Sequence, residues 1–171
     1  MTLTKPDIGY IPCTQEIVEA ILKLAKVNSK DILYDLGCGD GRILITAAKQ
    51  YGTRGVGIDI DHLRIEDARN KALQNCVSKQ LEFHQQNLFT SNFSNATVIF
   101  VYLLPHLNLR LRPQLWRQLK PGTRIVSRDF DMGDWQPLQQ LKLIVEEEGE
   151  EEEVTLYYWE ISQQLSVNSY Q

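Results

Sequence analysis

Cysteine is scarce: three residues, Cys13, Cys38 and Cys76, in a chain of 171. An odd number at unrelated spacings argues against a disulfide framework and a metal knuckle, and fits a reducing compartment. Long apolar runs are missing too. No stretch approaches the roughly 18 residues that span a bilayer. Met1 to Tyr10, with Lys5, Pro6 and Asp7, lacks the apolar core of a secretory leader. A cytoplasmic chain without membrane insertion is expected. The three histidines, His62, His84 and His106, are scattered. There is no H-E-x-x-H, no nucleophile elbow and no G-x-x-x-x-G-K-[ST] phosphate loop, so no metal is expected.

What is present is a globular balance, 43% hydrophobic and 23% charged residues. The length suits one domain, residues 1–171, able to bury its own core. No self-complementary apolar face is evident, which leaves a monomer as the default. The net charge of −4 is unevenly spread, because Glu146 to Glu153 holds seven acids interrupted only by Gly149. Without them, 15 acids (22 less 7) face 18 bases. The run reads either as a solvated hairpin turn or as an acidic lip that draws a basic partner.

Strand-like apolar runs alternate with amphipathic helical stretches, the pattern of a parallel α/β sheet. Thr14 is placed to cap a helix running to about Lys26. Ile32–Leu36 reads as a strand, residues 41–51 as a helix and Gly55–Ile60 as a second strand. Asp61 caps a helix to about Asn75. Leu81–Gln85 and Thr97–Leu103 are the third and fourth strands, with no room for a long helix between them. Leu107, Leu111, Leu115 and Leu119 mark a helix that restarts at Pro113. Lys120-Pro121-Gly122 stops it, Arg124–Ser127 is a fifth strand, and 141–145 with 154–161 form an antiparallel hairpin. The expected fold is Rossmann-like: a seven-stranded, mostly parallel sheet with helices on both faces and that C-terminal hairpin.

Asp35-Leu36-Gly37-Cys38-Gly39-Asp40-Gly41 lies between the first strand and its helix. Glycines there allow positive φ and leave room for a ligand against the backbone, while the turn aims helix N–H groups at it. The spacing is not the dinucleotide G-x-G-x-x-G, since Arg42 stands where the third glycine belongs. A nicotinamide cofactor is therefore disfavoured. Asp35 at the strand end would repel phosphate and suits a ligand bearing an ammonium and a sulfonium. Asp59, closing the second strand in Gly57-Ile58-Asp59-Ile60, is placed to accept hydrogen bonds from ribose hydroxyls.

Together these segments resemble the first two motifs of class I S-adenosylmethionine-dependent methyltransferases, over roughly residues 10–135. The resemblance implies that Gly37, Cys38 and Gly39 approach the methionine part, that Asp35 orients its amine, and that Asp59 and Ile60 take the ribose. Where the family carries an acid that reads adenine, this chain has Gln86-Asn87-Leu88; the Asn87 carbonyl can accept and Leu88 offers a backbone N–H. Tyr10-Ile11-Pro12-Cys13-Thr14 matches the segment before the first motif, which adds Tyr10 and Thr14 to the cofactor contacts.

The fourth strand ends Tyr102-Leu103-Leu104-Pro105-His106. It lacks the Asn or Asp expected of enzymes that methylate nucleobase amines, and basic patches interleaved with aromatics are thin, so no nucleic acid is expected. Gly122 to Phe130, followed by Trp135-Gln136-Pro137, resembles the small lysine methyltransferases of the ATP synthase c-subunit type. It more distantly resembles the histone lysine methyltransferase that lacks a SET domain. A protein lysine is then the implied acceptor, with a small-molecule acceptor and a non-catalytic cofactor-binding regulator as alternatives. Tyr102, Pro105 and His106 are the catalytic candidates, and Tyr102 also borders the cofactor. Leu104, Phe130 and Trp135 are expected to line an apolar channel with Tyr102, Leu103 to pack in the core, and Asp129 and Asp131 either to position an ammonium or to hydrate a loop.

Overall fold

The structure, a computed structural model, describes residues 12–163. Four helices, α1 (Gln15–Leu24), α2 (Arg42–Tyr51), α3 (His62–Gln74) and α4 (Pro105–Gln118), accompany seven strands. The strands are β1 (Ile32–Leu36), β2 (Arg54–Asp59), β3 (Leu81–Gln85), β4 (Val98–Val101), β5 (Arg124–Arg128), β6 (Gln139–Glu147) and β7 (Glu150–Glu160). They form one sheet in the order β3-β2-β1-β4-β5-β7-β6. β1 to β5 are parallel, and β7 and β6 run antiparallel at the far edge. The expected architecture is therefore the observed one, with β7 seated between β5 and β6.

The two faces are unequally covered. Ile17, Ile21, Leu44, Ala47, Ala68 and Ala72 of α1 to α3 pack with Leu33, Phe83 and Phe100 on one face. On the other, α4 supplies Leu107, Leu111 and Leu115 against Leu36, Ile99 and Ile125. Only a 3-10 turn, Leu88–Thr90, lies between β3 and β4. No helix lies between β5 and β6. The chain instead crosses the sheet as a loop, and Trp135 packs edge-on against Trp116 of α4 at 5.4 Å and against Trp159 of β7 at 5.7 Å.

Local chemistry explains the boundaries. The Thr14 hydroxyl accepts from Ile17 N and the Asp61 carboxylate from Leu63 N and Arg64 N, so both capping expectations hold. Pro113 does not restart a helix. α4 begins at Pro105 and runs through Pro113, which sits on the exposed side, where water can satisfy the carbonyl one turn earlier. The fourth strand is shorter than expected, because Tyr102 to Leu104 already leave the ladder.

Apart from the turn at Glu148 and Gly149, the acidic run is strand. The β6–β7 ladder continues to Glu147↔Glu150, and Glu148 and Gly149 form the two-residue turn with φ of 53° and 82°. β5 ends at the Arg128↔Leu156 pair. The six residues of β7 before Leu156 therefore extend beyond the carboxyl edge of the sheet, an arm of about 20 Å.

Candidate active site

The glycine turn sits at the carboxyl end of β1, bound by Gly37 N and Cys38 N to Ile58 O at 2.7 and 3.0 Å. Its three glycines all have positive φ but do different work. A Cβ on Gly37 would meet nothing within 4 Å, so that face opens to a ligand. A Cβ on Gly41 would meet the Phe83 ring at 2.9 Å, so this glycine lets α2 approach the sheet. Cys38 turns its side chain inward, since its Sγ would lie 2.7 Å from a Cβ on Gly57. It can therefore offer a ligand its backbone only.

Three buried acids surround the turn. Asp35 is 3% exposed, and burial first, then the nearby Asp59 and Asp40, push its carboxyl up to about 8. Asp59 accepts from Gly39 N at 2.9 Å and from Asp61 N at 3.0 Å. It thus holds the turn as well as facing the ligand edge. Asp40, which sequence reasoning left without a role, is structural. It pairs with Arg42 at 2.7 Å and Lys71 at 2.9 Å, while Arg42 also donates to Cys13 O at 2.9 Å. Asp35, a buried acid with no ion pair to a described residue, stands next to an open glycine and fits a ligand that brings an ammonium.

Asn87 caps the 3-10 turn, its Oδ1 accepting from Phe89 N at 2.9 Å, which occupies one of the carbonyl's two acceptor positions. Ile60 and Leu88 are half-buried nearby in sequence to these groups. Thr14 spends its hydroxyl on the α1 cap. Tyr10 lies outside the described residues.

Tyr102 leaves β4 half-buried, stacked on Phe130 at 6.2 Å and 15°. Burial pushes its phenol up, so it stays protonated at neutral pH. Leu103 is core, as expected. Trp135 is not a channel residue. Its ring is drawn onto the α4 face by Trp116 and Trp159, away from Tyr102. Pro105 opens α4, and the exposed His106 side chain beside it has no hydrogen-bond partner among the described residues. Asp129 holds Thr155 N at 3.0 Å, and Asp131 holds Gly133 N at 3.0 Å. Sequence reasoning gave no role to Arg128, which is buried beneath Tyr102; an arginine closing the strand just after Ile125, Val126 and Ser127 was the signal. Among the described residues no group of three or more His, Cys, Asp or Glu is placed to hold a metal ion. No helix among them is long and apolar enough to cross a membrane.

A glycine turn backed by two strand-end acids, at the carboxyl edge of this sheet order, defines an S-adenosylmethionine-dependent methyltransferase. Residues 35–139 match the ANTKMT methyltransferase domain, and the chain belongs to that family. It is 41% identical over 139 residues to a protein-lysine N-methyltransferase of Saccharolobus islandicus, covering 81% of this chain and 86% of the relative. It is 28% identical over 135 residues to the human lysine N-methyltransferase of the ATP synthase c-subunit, covering 79% of this chain but 57% of that one. A solved structure described as an RNA methyltransferase from Salinibacter ruber, in complex with S-adenosylhomocysteine, superposes with a TM-score of 0.80. It is 46% identical to this chain, with 90% of this chain and 95% of that one covered.

Proposed function

We propose that this enzyme transfers the methyl group of S-adenosylmethionine to the side-chain amine of a lysine in a protein. The observation that carries this reading is the acidic arm, which stands over the carboxyl edge beside Tyr102. Glu152 of the arm reaches Arg128 at 3.1 Å, and the Arg128 guanidinium carbon lies 4.5 Å from the Tyr102 ring centroid. Such an arm attracts a cationic segment and repels a polyphosphate. The names of the archaeal and human relatives support the same acceptor. The second reading is RNA, favoured by the Salinibacter relative at 46% identity, and it must place a phosphate backbone beside seven glutamates.

In this reading Asp35 takes the cofactor's ammonium and Asp59 its ribose hydroxyls. Gly37, Cys38 and Gly39 give backbone contacts to the methionine part. Ile60, Asn87 and Leu88 border the ribose and adenine, Thr14 is a further cofactor contact, and Tyr10, outside the described residues, is assigned to the cofactor by the family resemblance alone. The cofactor supplies a methyl already activated by its sulfonium, so the chain's work is to align the acceptor lone pair. A lysine must first lose its proton, at a cost of roughly 4–5 kcal/mol at pH 7. Tyr102 and Phe130 lower that cost by taking the ammonium out of water. Pro105 sets where α4 begins, and a role for His106 requires acceptor contact. The enzyme is read as a cytoplasmic monomer of one domain; Cys13, Cys38 and Cys76 are all free thiols.

The test uses tritiated S-adenosylmethionine on lysate of cells lacking this protein, separated into protein, nucleic-acid and small-molecule fractions. Label in a nuclease-resistant protein band, recovered as methyl-lysine after hydrolysis, is the expected result. Label that nuclease releases makes RNA the acceptor and overturns the lysine reading.

A further inference from the structure

Arg128 closes β5 one step beyond the Val101↔Ser127 pair, so its side chain stands beside Tyr102. That side chain is 1% exposed. Burying a guanidinium costs several kcal/mol unless its protons are met. Here Nε faces Asp129 Oδ2 at 3.3 Å, and the terminal nitrogens face Glu152 Oε1 at 3.1 Å and Cys13 Sγ at 3.4 Å. The partners come from three separate places: the end of β5, the acidic arm and the segment before α1. The remaining face of the guanidinium lies on the Tyr102 ring, 4.5 Å from its centroid.

Apolar packing fills a buried position at least as stably as a charge does, so stability alone does not explain an arginine here. A planar cation against an aromatic face does something an aliphatic chain does not. It fixes the ring through its quadrupole, and its own fork is in turn fixed by the carboxylates. A half-buried tyrosine otherwise has a broad χ2 well. We propose that Arg128 is a positioning residue for methyl transfer: held by Asp129 and Glu152, it fixes the Tyr102 ring, stacked on Phe130, and so sets the wall against which the acceptor is aligned. Misplacement of reacting groups by about 1 Å costs on the order of 100-fold in rate. The role is independent of the acceptor's identity and extends past the lysine reading.

The test measures initial tritium transfer from S-adenosylmethionine into whichever lysate fraction accepts it, and S-adenosylhomocysteine affinity by calorimetry. The variants are Arg128→Lys, Arg128→Met, Tyr102→Leu and the double Arg128→Met/Tyr102→Leu. Arg128→Met is expected to lower the maximal rate about tenfold or more. The lysate concentration at half-maximal rate and the S-adenosylhomocysteine Kd stay within about twofold, and Arg128→Lys restores part of the rate. The double variant is expected to be no slower than the slower single one, since both act through the same ring. Losses that multiply in the double variant overturn the proposal, as does a fall in cofactor affinity that matches the fall in rate. If Arg128→Met fails to fold, Arg128→Lys decides: it keeps the charge without the planar face, and a parental rate overturns the proposal. A wrong lysine reading shows instead as label in another fraction, where the same variants are compared.

Discussion

Asp35 links the site to pH. Burial and its acidic neighbours raise its carboxyl from 3.8 to about 8. Between those values the folded chain keeps a proton that the unfolded chain has lost. Its contribution to stability is therefore full below pH 3.8 and is lost as pH rises through about 8. A ligand ammonium beside Asp35 favours the ionised form and so displaces that proton. S-adenosylhomocysteine affinity should rise from pH 6 toward about pH 8, as the Asp35 carboxyl approaches its own ionisation. Calorimetry in buffers of different ionisation enthalpy should show net proton release on binding. Asp35→Asn should bind more weakly and release none. Proton release unchanged in Asp35→Asn would assign the proton to another group.

At the scale of elements, the acidic arm carries the next prediction. Replacing Glu146, Glu147, Glu148, Glu150, Glu151 and Glu153 by Gln leaves Glu152 on Arg128 and removes six charges. Lost surface contacts of about 0.2–1 kcal/mol each should raise the KM for a lysine-bearing protein acceptor several-fold at low salt. The gap should close near 1 M salt, where the screening length falls to about 3 Å. S-adenosylhomocysteine affinity should not change. Equal KM at low salt would return the arm to a solvated hairpin. The sequence left both readings of this run open because charge pattern carries no register. Glu152 faces Arg128 only through the β5–β7 pairing, which no local signal specifies. The glycine turn, Asp35 and Asp59 were legible because each demands a residue type at one spot between strand and helix. Trp135 was misplaced for a related reason: its position after β5 suggests the ligand edge, but packing on Trp116 and Trp159, 19 residues before and 24 after it in sequence, draws it to the α4 face. Pro113 was read as a helix start because proline favours that position, while the leucines at steps of four, buried against the sheet, hold the helix through it.

For the whole molecule, ligand contacts and fold share the same groups. Asp59 holds Gly39 and Asp61, and the glycine turn hangs on Ile58, so cofactor binding should brace β1, β2 and the start of α3 together. At a ligand concentration of 100 times Kd, binding to the folded state alone adds about 2.7 kcal/mol. For a chain of this size that raises Tm by roughly 5–10 °C. S-adenosylhomocysteine should produce a shift of this order in a thermal melt. Gly37→Val places a side chain in the open space beside the turn, at a φ of 94° that a β-branched residue tolerates poorly. It should lower the ligand-free Tm and abolish the ligand shift. Gly122 provides the comparison. It also has positive φ, at 89°, with nothing within 4 Å of an added Cβ, but it lies at the amino end of β5. Gly122→Val should lower the ligand-free Tm by the same strain and keep the full ligand shift. Loss of the shift in both would mean that strain, transmitted through the sheet, is what removes binding; loss in Gly37→Val alone assigns it to the space the side chain fills.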